Sequence, residues 1–136
     1  MKAIEYLNQA GDIDKLIAAL REQQKQLCDS ALSGVRLDSV LGFGAKSDRT
    51  ANIGIKLATL QESIDDYEKQ ALELKSEIID NIMKLKNRVL STLLMHRYIN
   101  GKDWYEIGEL INYNPDYTRK LLHKAAIKEF ERILES

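Results

Sequence analysis

The order of apolar and polar positions along this chain is that of helices. Ile13, Ile17, Leu20, Gln24, Leu27 and Ala31 follow one another at spacings of four and three, a single stripe broken only by Gln24. A first helix is therefore expected over residues 3–31, with a nick at Gly11 as the alternative, because Asp12 suits the N-cap of a restarted helix. Further on, Ile53, Leu57, Leu60, Ile64, Tyr67, Ala71, Leu74 and Ile78 keep the four-three alternation without interruption. A period of about 3.5 residues is the seam of an antiparallel helical hairpin or a coiled coil. Asp48 or Thr50 is placed to cap this second helix, which should run towards Lys86. Some 35 residues at about 1.5 Å each make a rod of roughly 50 Å. Such a rod must cover its stripe with the first helix, with a second copy of the chain, or with both.

Residues 33–48 are the least regular stretch, with Gly34, Gly42 and Gly44. They also carry Val35, Leu37, Val40, Leu41 and Phe43, too apolar for a solvated linker, so this loop should fold back onto the helices. Gly42-Phe43-Gly44 has neither the preceding strand nor the following Gly-Lys-Ser/Thr that a phosphate-binding loop requires.

Beyond Lys84 the punctuation becomes specific. Asn87 can cap a separate helix to Asn100 with Val89, Leu90, Leu93, Leu94, Tyr98 and Ile99 on its apolar face. No Gly or Pro enforces a break before it, so a straight continuation of the long helix competes. Gly101 suits the left-handed position that ends a helix. Asp103 and Glu106 are spaced as a capping box for a short helix over residues 104–111, which should turn Trp104, Ile107, Leu110 and Ile111 inward. Gly108 marks a close approach to a second helix. Asn114 is a good N-cap and Pro115 suits the first helical position, so a turn of about three residues should lead into a last helix over 115–134. Two helices joined by so short a turn, behind a third, predict a three-helix helix-turn-helix. The expected architecture is all-α. Residues 1–86 form a long helical hairpin or coiled-coil arm suited to dimerisation, and residues 87–136 form the helix-turn-helix domain.

The last helix divides by face. Thr118, Leu121, Leu122, Ala125, Phe130 and Ile133 follow helical spacing and are expected in the core. Tyr117, Arg119, Lys120, His123 and Lys124 fall on the other side, in the first two turns, the part of a recognition helix that enters a major groove. With Asn114 and Asp116 at the helix start they make the candidate DNA-contacting set, His123 either contacting backbone phosphate or hydrogen-bonding locally. Arg and Lys can donate to guanine or to phosphate, and a tyrosine can meet a phosphate or a thymine methyl. The first amides of the helix offer a modest phosphate site, which Asp116 opposes.

Charge supports this division mildly. The net charge is −1, but ten Lys+Arg face fourteen Asp+Glu up to Met83, and ten face seven from Lys84 onward. The N-terminal part is thus −4 and the C-terminal part +3. One proline and two phenylalanines argue against a β-sandwich or barrel. The single cysteine, Cys28, excludes an intrachain disulfide and is expected as a buried structural thiol beside Leu27 and Ala31. No apolar signal-peptide core follows Met1 and no run can cross a bilayer, so a cytoplasmic protein without a membrane partner is expected. His96 and His123 stand 27 positions apart with no cysteine partners, which leaves no zinc spacing, and His96 is expected in a structural role. Asp65 and Asp66 read as solvated-face charges, with Asp65 four residues before Lys69. No nucleophile–base constellation can be drawn, so no enzyme and no cofactor are expected.

The run from Arg97 through Gly108 (Arg-Tyr-Ile-Asn-Gly-Lys-Asp-Trp-Tyr-Glu-Ile-Gly), then Tyr113-Asn114 and Leu122-His123-Lys124-Ala125-Ala126, resembles region 4 of bacterial sigma factors. It is closer still to the sigma-like regulators of Gram-positive phages and prophages, the ArpU and RinA type and related uncharacterised phage families. Tyr6-Leu7-Asn8-Gln9-Ala10 and the arm after it resemble one of these families as well. The resemblance implies control of phage or prophage transcription through promoter DNA, with RNA polymerase as a further partner. Asn114 stands where the family has Ser, Gly108 where it has Ala, and Thr118 where it has a buried aliphatic residue. The chain lacks room for a promoter-melting region, so an activator or accessory regulator is favoured over a stand-alone sigma factor.

The leading expectation is a sequence-specific regulator that binds double-stranded DNA, with a homodimer through the long helices presenting two recognition helices. A helical adaptor that grips RNA polymerase or another protein is the alternative from a different class. A small terminase-like DNA-packaging subunit is a third.

Overall fold

A computed structural model describes residues 2–41 and 46–136, with side chains described over 2–32 and 51–136. The protein is all-α: among the described residues there are five helices and no strand. Helix α1 is Ala3–Leu41 and α2 is Lys46–Ile82. Helix α3 is Arg88–Leu94, prolonged by a π-helical turn over Met95–Ile99, and α4 is Trp104–Ile111. Helix α5 begins as Pro115–Tyr117, passes through a second π-helical turn at Thr118–Leu122, and finishes as His123–Glu135.

Two sequence expectations are corrected along the long helices, the end of the first and the start of the second. α1 passes Gly11 without a break, because the roughly 1 kcal/mol cost of a helical glycine is outweighed by the burial of Leu7 and Ala10 just before it. It also continues to Leu41, so residues 33–41 are helix rather than loop, as a stretch without proline permits. α2 begins at Lys46, which puts Asp48 and Thr50 inside the helix instead of at its cap. The Gly42-Phe43-Gly44 triplet and the packing of Val35, Leu37, Val40 and Leu41 lie outside the described residues.

The chain divides into two compact units, residues 14–70 and residues 1–13 with 71–136. In the first, α1 and α2 form an antiparallel hairpin: Gln24 donates to Gln61 at 2.8 Å, and Arg21 is ion-paired with Glu68. The expected stripes face inward: Ile17, Leu20, Leu27, Ile53, Leu57, Leu60 and Tyr67 are half-buried, and Ile64 is fully buried. The seam is therefore taken up within the chain. Gln24, the one polar break in it, is matched by a glutamine across the interface. Asp65 accepts from Gln61 rather than pairing with Lys69.

The second unit has one core. Ala3, Leu7 and Ala10 of α1 meet Ile78 and Ile82 of α2, Leu85, Leu90, Leu93 and Leu94, Ile107 of α4, and Ala126, Ile127 and Phe130 of α5. Tyr6 stacks at a tilt on Phe130, 5.9 Å between ring centroids, and its hydroxyl accepts from Asn81 at 2.7 Å. A boundary after residue 86 thus falls inside this unit, because the C-terminal helices complete their core with the two ends of the long ones. α2 stops at Ile82, and Asn87 caps α3 by accepting from the amides of Val89 and Leu90. Ser91 donates from its hydroxyl to the Ile82 carbonyl at 3.3 Å, and buried Leu85 pins the connecting turn. The separate helix is the arrangement observed.

Gly101 and Asp103 act as read from the sequence, whereas α4 ends on left-handed Asn112 at φ 63, a stop the sequence reading did not assign. Gly101 has φ +67 and ends α3, with the Lys102 amide donating to the His96 carbonyl at 2.9 Å. Asp103 accepts from the Glu106 amide at 2.9 Å to open α4. A Cβ on Gly108 would lie 2.8 Å from the Tyr113 carbonyl oxygen and 3.1 Å from Pro115, so the turn itself passes over this residue. Leu110, expected inside, is instead 54% exposed.

Candidate nucleic-acid interface

The candidate residues sit at the start of and along α5, and its π-helical turn decides which way they point. Each residue of an α-helix advances about 100°, so the extra residue of a π-turn, closed here by the His123 amide donating to the Thr118 carbonyl, rotates everything after it by roughly that angle. Thr118 is fully buried, its hydroxyl donating to the Asn114 carbonyl at 2.9 Å. Downstream, the residues that reach the core are Ala126, Ile127 and Phe130, with Leu122 and Ile133 half-buried. Leu121 and Ala125, assigned to the core by a regular 3.6-residue period, are corrected: Leu121 is 56% exposed and Ala125 is also exposed.

Of the seven candidate residues, Asp116, Tyr117, Arg119, Lys120 and Lys124 lie on the open side. The Arg119 guanidinium is 3.7 Å from the Asp116 carboxylate, and both side chains are at least half exposed. Such a surface pair is weak and yields readily to a phosphate. Tyr117 stacks on Tyr113 of the turn with centroids 5.9 Å apart and planes 13° apart. Lys124 and Lys128 border a shallow groove of about 200 Å³ floored by Ile4 and Ile127.

Asn114 and His123 are placed otherwise. The Asn114 side chain is spent on the cap, accepting from the amides of Asp116 and Tyr117, while its carbonyl accepts from the Thr118 amide. The helix-start amides proposed as a phosphate site are therefore already bonded. His123 is half-buried and lines that same groove together with Glu131, its ring engaged by α3 and α4. Its Nε2 lies 2.6 Å from the Tyr98 hydroxyl, and its ring meets the edge of Trp104 at 4.8 Å. Arg97 lies 4.4 Å over the Trp104 ring and donates to the Lys102 carbonyl at 3.3 Å. Burial, and secondarily the Arg97 charge, push the His123 pKa below its ordinary value, and burial raises that of Tyr98. This neutral histidine is an internal strut between α3, α4 and α5. His96 is likewise engaged locally, with Nδ1 3.1 Å from Asn100.

Sequence reasoning missed Tyr113, Leu121 and Ala125 as surface members. The stacked tyrosines, four residues apart across a turn, carried a visible signal. Leu121 and Ala125 carried none, because nothing local announces a π-turn. Cys28 is also corrected: the thiol is exposed, one residue and so about 100° round from half-buried Leu27. Among the described residues no helix is long and apolar enough to cross a membrane, and no cluster of three or more His, Cys, Asp or Glu could hold a metal ion.

Class and geometry are thus those of an all-α chain in which a short turn joins α4 to α5 and Arg119, Lys120 and Lys124 stand exposed on α5. Compared with family models, curated proteins and solved structures, the chain matches none.

Proposed function

We propose that this protein is a sequence-specific regulator of phage or prophage transcription that binds double-stranded DNA, α4 and α5 acting as the helix-turn-helix and α5 entering the major groove. One observation carries the reading. The first turns of α5 hold Tyr117, Arg119, Lys120 and Lys124 in the open, while Thr118, Leu122 and Ala126 anchor the same helix from behind. The cations supply phosphate attraction, and the outward side of the same turns faces the bases. The likeness of residues 97–126 to sigma region 4 supports the same assignment and adds RNA polymerase as a partner. Selection of bound sequences from random duplex DNA at two salt concentrations tests it: one enriched motif with affinity falling steeply in salt is expected, and no enrichment at either concentration defeats it.

A second reading, an adaptor that grips a protein such as RNA polymerase, is favoured by Tyr105, Leu110, Tyr113 and Leu121, all large, apolar and exposed around the turn. Retention of RNA polymerase by a chain that enriches no DNA would select it.

A further inference from the structure

Two parallel rows run along the outer side of α5. Lys120, Lys124 and Lys128, each four residues from the next, are all exposed. Beside them Tyr117, Leu121 and Ala125, at the same spacing, are exposed as well. Both rows cross the π-helical turn of Thr118–Leu122, where a turn holds more residues than in an α-helix, so side chains four apart still share a face and make two exposed rows, one cationic and one apolar. The cationic stripe suits a polyanion. The apolar stripe holds no Arg, Asn or Gln able to pair in bidentate fashion with guanine or adenine. In a major groove, the base feature that apolar side chains read is the C5 methyl of thymine.

We propose, resting on the DNA-binding reading above, that α5 selects its sites through thymine methyl groups contacted by Leu121 and Ala125, with Lys120, Lys124 and Lys128 held to the flanking phosphates. The π-helical turn creates this specificity. A regular helix would bury Leu121 and Ala125, and the extra residue brings them out beside the lysines while Ala126 and Ile127 take their places in the core.

The test uses the full chain and the duplex enriched from a random library, synthesised with thymine or with deoxyuridine, which lacks only the methyl. Wild-type affinity should fall about fourfold for each contacted methyl removed, the factor that corresponds to one methyl-sized group left unburied. Leu121→Ala should weaken binding to the thymine duplex and lose discrimination at one position, with the far-UV spectrum unchanged because Leu121 is exposed. Equal wild-type affinity for both duplexes overturns the proposal while leaving the DNA-binding reading in place. So does undiminished discrimination by Leu121→Ala. Failure to enrich any duplex removes both. Sedimentation adds the other occupant: self-association abolished by Leu121→Ala, with no thymine preference, makes this stripe a contact between copies and overturns the proposal.

Discussion

The Tyr98 hydroxyl and Nε2 of His123 are hydrogen-bonded across 2.6 Å, joining the π-helical turn of α3 to the first residue after the π-helical turn of α5. A neutral imidazole with its proton on Nδ1 can accept from the Tyr98 hydroxyl at Nε2, whereas an Nε2–H would donate to the hydroxyl oxygen. Burial and Arg97 both act to keep the imidazole neutral. A histidine whose folded pKa lies below the unfolded value of about 6.5 binds fewer protons folded than unfolded in the interval between the two. Its contribution to stability is full above about pH 6.5 and falls as pH drops through that value towards the lower folded pKa. Urea midpoints should hold steady from about pH 8 to 7 and decline below about 6.5, and His123→Gln should flatten that decline. An equal slope in the variant would show that carboxylates alone are responsible. Tyr98→Phe should cost about 1 kcal/mol at neutral pH.

Glycines should separate by what surrounds them. Gly108→Ala puts a Cβ 2.8 Å from the Tyr113 carbonyl oxygen and 3.1 Å from Pro115, backbone that has little room to move. It should destabilise by about 1–3 kcal/mol, and Gly108→Leu should abolish the cooperative melt of this unit. A Cβ on Gly11 or Gly54 meets nothing within 4 Å, so alanine there should stabilise by up to about 1 kcal/mol. Thermal melts of the four variants check the ordering, which a wild-type melt for Gly108→Leu would contradict.

The outer cations should act through salt-dependent binding. The double variant Arg119→Ala/Lys120→Ala should keep its helical content, since both side chains are exposed, and lose affinity for the enriched duplex. If each meets a phosphate, the slope of log affinity against log salt should become shallower by about 1.8. Asp116→Asn should act in the opposite direction, releasing Arg119 from its carboxylate 3.7 Å away and raising affinity several-fold. Unchanged affinity in the double variant removes the proposed face.

Cys28 should behave as an open thiol. Its exposure predicts that native protein reacts with a maleimide at close to the rate seen in urea. Strong protection in the native state would return it to the interior.

The residues on which the expectation of a sigma-like regulator rests are chiefly scaffold. Arg97 covers Trp104, Trp104 supports His123, His123 holds Tyr98, and Gly101 and Gly108 permit the turns between them. These residues thus decide how α5 is mounted, and the outward rows proposed to read DNA lie mostly beside them. That explains why His123 and Asn114, chosen as DNA contacts from their place in the chain, are found committed to the fold.

What the amino-acid order determined by itself is whatever is decided within about four residues. The caps at Asn87, Asp103 and Asn114, the left-handed stop at Gly101 and the four-three stripes of the hairpin belong here, because each is a bond or a period between near neighbours. Tertiary structure decided the rest. The ends of α1 and α2 join the C-terminal helices because one core needs Leu7, Ile78 and Phe130 together. The π-turn of α5 lets Thr118 stay anchored under Asn114 while Phe130 reaches Tyr6, a demand set by partners more than a hundred residues apart. One inserted residue satisfies both, and that same rotation turns Leu121 outward and His123 in.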